Sequence, residues 1–88
     1  MSKITFAEDA WEEYLYWQTQ DKKTLKKINR LLSDIDRNGY ACTGKPEPLS
    51  GNLAGYWSVR IDDKNRIVFR IDGDNLEIIQ CGTHYRDK

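Results

Sequence analysis

The residue types best suited to acid–base chemistry stand far apart in this sequence. Glu47 lies between Pro46 and Pro48, which restrict the backbone on both sides of it, so its carboxylate is well held. His84 is the single histidine, the residue type that changes charge near neutrality when unperturbed. Arginines occur on the strand-like stretches between these two positions: Arg60, Arg66 and Arg70. These types fit metal-free acid–base chemistry at a phosphate, with Glu47 and His84 moving protons and arginine supplying positive charge.

Metal hydrolysis and nucleotide binding by a glycine loop find no support in the residues. One histidine, cysteines without short spacing, and acidic residues mostly in turns or on helix surfaces make no ligand set. No phosphate-binding glycine motif is present. We therefore expect no metal and no cofactor, and we expect Cys42 and Cys81 to be free structural thiols.

Several of these features also have an ordinary structural interpretation. A lone histidine near a chain end is more often an exposed polar residue than a catalyst, and Arg70 can simply pair with Glu77. A basic cluster on the second predicted helix is a solvated face or, alternatively, contacts RNA phosphates. It comprises Lys22, Lys23, Lys26, Lys27 and Arg30.

Length and charge limit the number of domains and the kinds of partner to expect. With 88 residues the chain makes one domain, residues 1–88, with room for one sheet and a few helices. Fourteen acidic residues balance fourteen basic ones, so bulk charge gives no reason to expect a nucleic-acid partner. The first residues lack the pattern of a signal peptide and no run is long enough to span a bilayer. A cytoplasmic location is the default expectation.

The first half of the chain reads as a short strand followed by two helices. Lys3–Phe6 is β-prone. In the first helix, apolar residues at helical spacing predict a core-facing seam of large side chains. They are Trp11, Tyr14 and Leu15, widened by Tyr16 and Trp17. Asp21 is placed to cap a second helix after a short Thr19-Gln20 connection, and Asn38-Gly39 is placed to end it. The two helices should form a hairpin that packs on a sheet.

Three strand-like runs follow, Tyr56–Ile61, Arg66–Ile71 and Leu76–Gly82. Placing both apolar sets of the first hairpin on the core sets Ile61 opposite Ile67, around a three-residue loop that ends in a left-handed Asn65.

The turn at Gly73-Asp74 should set Ile71 against Leu76, and Arg70 against Glu77. Alternation then gives the sheet two faces. The face under the helices holds Trp57, Val59, Ile61, Ile67, Phe69, Ile71, Leu76 and Ile78. The open face exposes Ser58, Arg60, Arg66, Arg70 and Glu77, with Val68, Ile79 and Cys81 between them. The same alternation puts Tyr85, and not His84, on the arginine face, unless an irregularity at Gly82 rotates the end of the strand.

Several motifs resemble one known family closely and span nearly the whole chain. They are the WEEYLYW run from Trp11, the GKPEPL segment from Gly44, NLAGYWS from Asn52, RIVF from Arg66 and the His84-Tyr85 pair. They resemble the YoeB toxins of bacterial toxin–antitoxin pairs, within the RelE-like superfamily. The resemblance implies an α+β, microbial-ribonuclease-like fold in the order βααβββ, with an antiparallel sheet on a two-helix hairpin.

The same resemblance implies a ribosome-dependent endoribonuclease that cuts mRNA in the decoding site. By position Glu47 is then the general base, His84 the general acid and Arg66 the group that stabilises phosphate charge. Tyr85 would help hold the substrate. Auxiliary phosphate contacts would come from Lys45 and Arg60. The implied partners are a YefM-like antitoxin, the ribosome with its mRNA, and a second copy in a homodimer, with operator DNA bound only through the antitoxin complex.

The chain departs from the family pattern at a few positions, and two other functions remain open. Ser50 and Val59 stand where basic residues are common in the family, and Arg86-Asp87-Lys88 follow the tyrosine at which many relatives end. One alternative is an inhibitor of a protein target, as ParE-like toxins act on gyrase. The other is a non-catalytic module that binds RNA or the ribosome.

Overall fold

The computed structural model describes residues 3–82, which form a five-stranded sheet covered on one face by two helices. The first elements are β1 (Lys3–Phe6), α1 (Glu8–Gln20) and α2 (Lys22–Asn38). The remaining strands are β2 (Glu47–Pro48), β3 (Trp57–Arg60), β4 (Arg66–Asp72) and β5 (Asn75–Gly82). The order in the sheet is β1-β5-β4-β3-β2. The predicted α+β class is confirmed. The sheet is mixed, however, because β1 joins β5 in parallel while the other neighbours pair antiparallel.

Helix α2 begins and ends as its sequence predicts. The Asp21 carboxylate accepts hydrogen bonds from the backbone N–H groups of Lys23 and Thr24, which satisfies two amides that have no partner within the helix. The Thr24 hydroxyl donates to the same carboxylate, and these bonds lower the pKa of Asp21. Gly39 ends the helix with φ of 60°, a conformation that glycine adopts without strain. Asp21 is also the whole connection between the helices, which is shorter than predicted.

The buried side of α1 differs from the predicted seam. It consists of residues at i, i+3, i+4 and i+7: Ala10, Glu13, Tyr14 and Trp17. Trp11 and Leu15 are instead 46% and 41% exposed. The reason lies in polar partners, because the Trp17 indole donates to the Cys81 carbonyl while the Glu13 carboxylate accepts the Cys81 N–H. Hydrophobic spacing alone could not indicate that an acidic residue faces the sheet.

The face of the sheet under the helices is the one that alternation predicts. Val59, Ile61, Ile67, Phe69, Leu76 and Ile78 are buried there, and Trp57 and Ile71 pack against them half-buried. Helix α2 contributes Ile28, Leu32 and Ile35 to the same core. Neither helix of residues 3–82 is long and apolar enough to cross a membrane.

The register of the β3–β4 hairpin is two residues away from the predicted one. Arg60 pairs with Arg66, so Ile61 does not lie opposite Ile67. The Asp62 carboxylate makes the turn, since it accepts hydrogen bonds from the backbone N–H of Lys64 and of Asn65 at 2.8 Å. Among the non-glycine residues of the described chain, only Lys45 has a positive φ. The prediction of a left-handed conformation for Asn65 was therefore also wrong. A shift of two residues preserves each side chain's face.

The β4–β5 hairpin has the predicted turn, but a bulge follows it. Arg70 pairs with Glu77, as expected, whereas Val68 pairs with Gln80 and Phe69 with Ile78. Ile79 is therefore an extra residue on β5, and it reverses the alternation beyond it. Cys81, predicted on the open face, pairs with Ile67 and is buried on the helix side. Gln80 lies on the open face in its place.

Candidate active site

Three strands bring Glu47 beside Arg66 on the open face of the sheet. Glu47 on β2 pairs with Ser58 on β3, and Ser58 pairs with Val68 on β4. The Arg66 guanidinium donates from Nη1 to the Ser58 hydroxyl oxygen at 3.0 Å. The same Nη1 lies 3.6 Å from the Glu47 carboxylate, whose side chain is 69% exposed. Ser58, predicted to be exposed, is buried under this pair and holds the guanidinium in place.

The segment that carries Glu47 is fixed at both ends. Before it, Asp34 on α2 accepts hydrogen bonds from the backbone N–H and the hydroxyl of Thr43. Gly44 lies so close to Val59 that a Cβ there would approach the valine side chain to 3.1 Å. After it, the N–H of Leu49 donates to the carbonyl of Tyr56. The carboxylate is therefore presented from a held edge strand.

This edge strand accommodates proline. Pro48 has no N–H to give to a ladder, and an edge strand of two residues tolerates that loss. The two prolines beside Glu47 are therefore compatible with its pairing to β3.

A cleft of about 220 Å³ opens beside the Glu47–Arg66 pair. Its lining consists of Gly44, Lys45, Glu47, Ser58, Arg60 and Arg66. Lys45 and Arg60 are exposed side chains, so three cationic residues face one carboxylate across a small volume. Such a site can hold a phosphate group through charge-assisted hydrogen bonds while it keeps a carboxylate near the bound group.

A second cleft, of about 230 Å³, continues on the other side of the same pair. It shares Glu47, Ser58 and Arg66 with the first, and its further lining consists of Leu49, Leu53, Val68 and Gln80. The two clefts form one groove, with cations at one end and an apolar surface at the other. This second cleft was not predicted from the sequence, because the bulge at Ile79 is what brings Gln80 to this face.

The third arginine of the open face belongs to a different arrangement. Arg70 donates from Nε and Nη2 to one carboxylate oxygen of Glu77, at 3.1 and 2.7 Å. Hydrogen bonding to Glu77 raises the pKa of Arg70, and its guanidinium lies 5.2 Å from the centre of the Tyr56 ring. The predicted Arg70–Glu77 pair is confirmed, and it sets Arg70 apart from the Glu47 groove.

The end of β5 pairs with β4 on one side, and on the side of β1 it is held by side chains of α1 instead of a strand. Strand β1 pairs with β5 only as far as Ile78. Beyond it, the Cys81 N–H donates to Glu13 at 2.7 Å and the Cys81 carbonyl accepts from the Trp17 indole at 2.9 Å. Both backbone polar groups on that edge are thereby satisfied.

Of the two cysteines and the two predicted C-terminal site residues, the structure describes the cysteines. Cys42 and Cys81 are buried free thiols, and burial raises the pKa of Cys81 to about 12. His84 and Tyr85 lie outside the described residues. Within residues 3–82, no group of three or more histidine, cysteine or acidic residues is placed to hold a metal ion.

The basic cluster of α2 lines a separate, shallow groove. Lys23, Lys26, Lys27 and Arg30 line it together with Thr24 and with Ile61 and Asp62 from the β3–β4 turn. Asp62 contributes negative charge beside the lysines, and its hydrogen bonds to Asn65 lower its pKa. The solvated and RNA-binding interpretations of this cluster both remain predictions.

Comparison with known proteins identifies the family. The model of the YoeB-like toxin of bacterial type II toxin–antitoxin systems matches residues 6–85. The toxin YoeB of Streptomyces coelicolor is 49% identical over 83 residues, which cover 94% of this chain and 99% of that protein. This chain belongs to the YoeB family.

Solved YoeB structures share the fold. A YoeB–YefM complex from Staphylococcus aureus matches with a TM-score of 0.88 and 46% identity, over 97% of this chain and 99% of that one. A YoeB dimer from the same species matches with a TM-score of 0.86 and 48% identity, over 96% and 98%. The chain is therefore a YoeB-family toxin of a type II toxin–antitoxin system with a RelE-like fold.

Proposed function

We propose that this YoeB-family toxin is a ribosome-dependent mRNA endonuclease that cleaves mRNA in the decoding site and thereby inhibits translation. The observation that supports it best is the Glu47–Arg66 pair, 3.6 Å apart, in a cleft that Lys45 and Arg60 also line. A carboxylate beside a cluster of cations suits a reaction at a phosphodiester. In that reaction a proton is removed close to the point where negative charge develops.

The reaction proposed is metal-free and uses the RNA's own 2′-hydroxyl. Glu47 takes the proton of that hydroxyl as its oxygen attacks the adjacent phosphorus. Arg66 stabilises the charge on the phosphoryl oxygens. His84 gives a proton to the departing 5′-oxygen, and Tyr85 helps hold the substrate. The products are a 2′,3′-cyclic phosphate and a free 5′-hydroxyl, and the intramolecular nucleophile keeps the entropic barrier low.

The ion pair gives the cleft two states. Without RNA, Arg66 serves as the partner of Glu47. A bound phosphate competes for the same guanidinium and offers it a bidentate partner. Substrate binding would therefore release the carboxylate from its counterion at the position where the 2′-hydroxyl arrives.

The bulge on β5 bears on the assignment of His84. Alternation along an unbroken strand put Tyr85, and not His84, on the arginine face. Because Ile79 is an extra residue, that count no longer applies beyond it. The objection to His84 as the general acid therefore falls.

We propose the binding partners of this toxin from the assemblies of its relatives. The staphylococcal YoeB proteins occur in a complex with YefM and as a dimer. A YefM-like antitoxin would restrain this toxin, and operator DNA would be reached only through that complex. A homodimer, a single domain over residues 1–88 and a cytoplasmic location beside the ribosome complete the proposal.

Primer extension on an mRNA translated in a cell-free system tests the function. Wild type should produce cuts at ribosome-occupied codons, and Glu47→Ala and His84→Ala should abolish them. Glu12→Ala, an exposed acid on α1, is the matched control and should cut like wild type. Blocked translation without cuts would favour a non-catalytic ribosome-binding module. Unchanged translation would favour an inhibitor of a protein target.

A further inference from the structure

The apolar half of the groove has no role in the acid–base chemistry described above. It lies directly beside the reacting pair, because Glu47, Ser58 and Arg66 line both halves. Its own lining is mostly apolar, through Leu49, Leu53 and Val68, and Gln80 is the polar exception. Its volume of about 230 Å³ is below the range of about 300–1,000 Å³ common for whole-ligand pockets. A single flat ring system suits it better than a folded ligand.

Gln80 gives this apolar half a polar floor. The side chain is 9% exposed, and its Nε2 donates to the carbonyl of Gly82 at 3.1 Å. That bond directs the NH₂ group of the amide towards the Gly82 carbonyl and so fixes the orientation of the amide. A primary amide has two donor hydrogens and an acceptor oxygen, so among residues 3–82 one hydrogen and the oxygen have no hydrogen-bond partner and are left to face a ligand.

We propose that this half of the groove binds a nucleobase of the RNA next to the phosphate that is cleaved, and that Gln80 reads its edge. The inference rests on the proposed nuclease function. A nucleotide joins a charged phosphate to a flat base, and the groove joins a cation-lined cleft to an apolar one. Flipped bases are held by apolar contacts on their faces and by hydrogen bonds at their edges. Leu49, Leu53 and Val68 supply the first and Gln80 the second.

An apolar side chain from a protein partner suits the site less well. It would cover the Gln80 amide without giving it a hydrogen-bond partner, and a buried polar group without a partner is costly. A base edge carries both donors and acceptors, so it can satisfy the amide. The lining therefore favours RNA over an apolar peptide.

Sequencing of cut ends tests the specificity. The substrate is a pool of translated mRNAs in which one codon is randomised, so that each base flanking the cut is sampled. Gln80→Leu keeps the volume and removes the amide. It should change the ratio between preferred and disfavoured bases by about 10-fold, while total cleavage at the best base changes far less. Gln18→Leu, an exposed position on α1, should leave the ratio unchanged. The ratio does not depend on the fraction of folded enzyme.

A binding measurement on the wild-type protein separates this inference from the nuclease function. The probe is a dinucleotide with a 2′-deoxy sugar at the attacking position, which cannot react, and inorganic phosphate is the comparison. NMR signals of the Gln80 amide and the Val68 methyls should shift with the dinucleotide and not with phosphate. Shifts confined to residues of the cationic cleft would overturn the inference, even if cleavage is found.

Three further outcomes distinguish failure of the base subsite from failure of the nuclease function. Base-dependent shifts without any cleavage would support the subsite and contradict the nuclease. Cleavage with the same base ratio in Gln80→Leu and wild type would overturn the subsite alone. Weaker binding of a YefM-like antitoxin by Gln80→Leu, with an unchanged base ratio, would assign the pocket to a protein and overturn the inference.

Discussion

The two faces of the sheet use the same strands for opposite purposes. Under the helices, Ile67 and Phe69 are fully buried and pack with α2 in a continuous apolar core. On the open face, Arg66 and Arg70 on the same strand make ion pairs at or near the surface. One strand, β4, thus carries stability on one side and charge on the other.

The ion-paired side chains of the open face can therefore be altered with little effect on the fold. Burial of apolar surface dominates folding free energy, whereas exposed ion pairs contribute little. A substitution in the core should therefore change stability, and one in the groove should change function.

Phe69→Ala should have the largest effect on stability. Phe69 is fully buried, and truncation of a buried phenylalanine costs about 3–5 kcal/mol. This is a large part of the roughly 5–15 kcal/mol by which such domains are stable. Urea unfolding followed by circular dichroism measures it. Tyr16→Ala, at a position 56% exposed, is the control and should change stability by about 0.5 kcal/mol or less. Equal losses in the two variants would remove the contrast between core and surface.

Arg66→Ala should affect cleavage and spare the fold. Loss of a group that stabilises developing charge costs about 100- to 1,000-fold in rate, while stability should change by about 1 kcal/mol or less. Primer extension and urea unfolding measure the two effects. The matched control is Arg70→Ala, because Arg70 is tied to Glu77 away from the groove. If Arg70→Ala lost as much cleavage as Arg66→Ala, the whole arginine face and not the groove would be the site.

Trp17→Phe should weaken the attachment of the end of β5 to α1. It keeps an aromatic ring and removes the indole N–H that bonds the Cys81 carbonyl. The expected loss is about 0.5–1.5 kcal/mol, with faster hydrogen exchange of amides near Cys81. Trp11→Phe, on the exposed side of α1, should change neither quantity. An unchanged Trp17→Phe variant would mean that packing and not the hydrogen bond holds this strand end.

Acid should weaken the fold through a carboxylate behind the Glu47 segment. Hydrogen bonds from Thr43 and Asn38 lower the pKa of Asp34 below its ordinary 3.8. The ionised form is therefore favoured in the folded state. Its contribution is present above the unfolded-state pKa and is lost as pH falls through the lowered one. Unfolding midpoints in urea should fall below about pH 4.

Two variants check this acid prediction. Asp34→Asn removes the titrating group, and Thr43→Val removes the hydroxyl that is its strongest partner. Both should give a flatter stability profile between neutral and acidic pH than wild type. A profile with the wild-type slope in both variants would assign acid sensitivity to other carboxylates.

The face of the sheet under the helices was predicted well from the sequence, because alternation is a local property. Val59, Ile67 and Phe69 alternate with residues that lie on the open face, and a two-residue turn at Gly73-Asp74 fixes the partner strand. The register of the β3–β4 hairpin was beyond this rule. It depends on which Asp or Asn side chain closes the turn, and Asp62 does so here.

Parts of the site required contacts between distant segments. The sequence named Glu47 and Arg66, yet their distance depends on β2 and β4 both pairing with β3. Gln80 was missed because a bulge at Ile79 leaves no pattern in the sequence. The contact of Glu13 with the sheet was also missed, because acidic residues are ordinarily solvated and its partner is a backbone amide 68 positions away.

The position of β5 has a consequence for synthesis. This last strand lies inside the sheet, between β1 and β4, and β1 pairs only with it. Residues 3–6 must therefore wait for residues 75–78 to leave the ribosomal tunnel before β1 can pair, a long loop closure that slows folding. A ribosome making this toxin carries an unfinished sheet for nearly the whole round of translation. The sheet of a nascent chain is therefore incomplete until its inner strand β5 has been made.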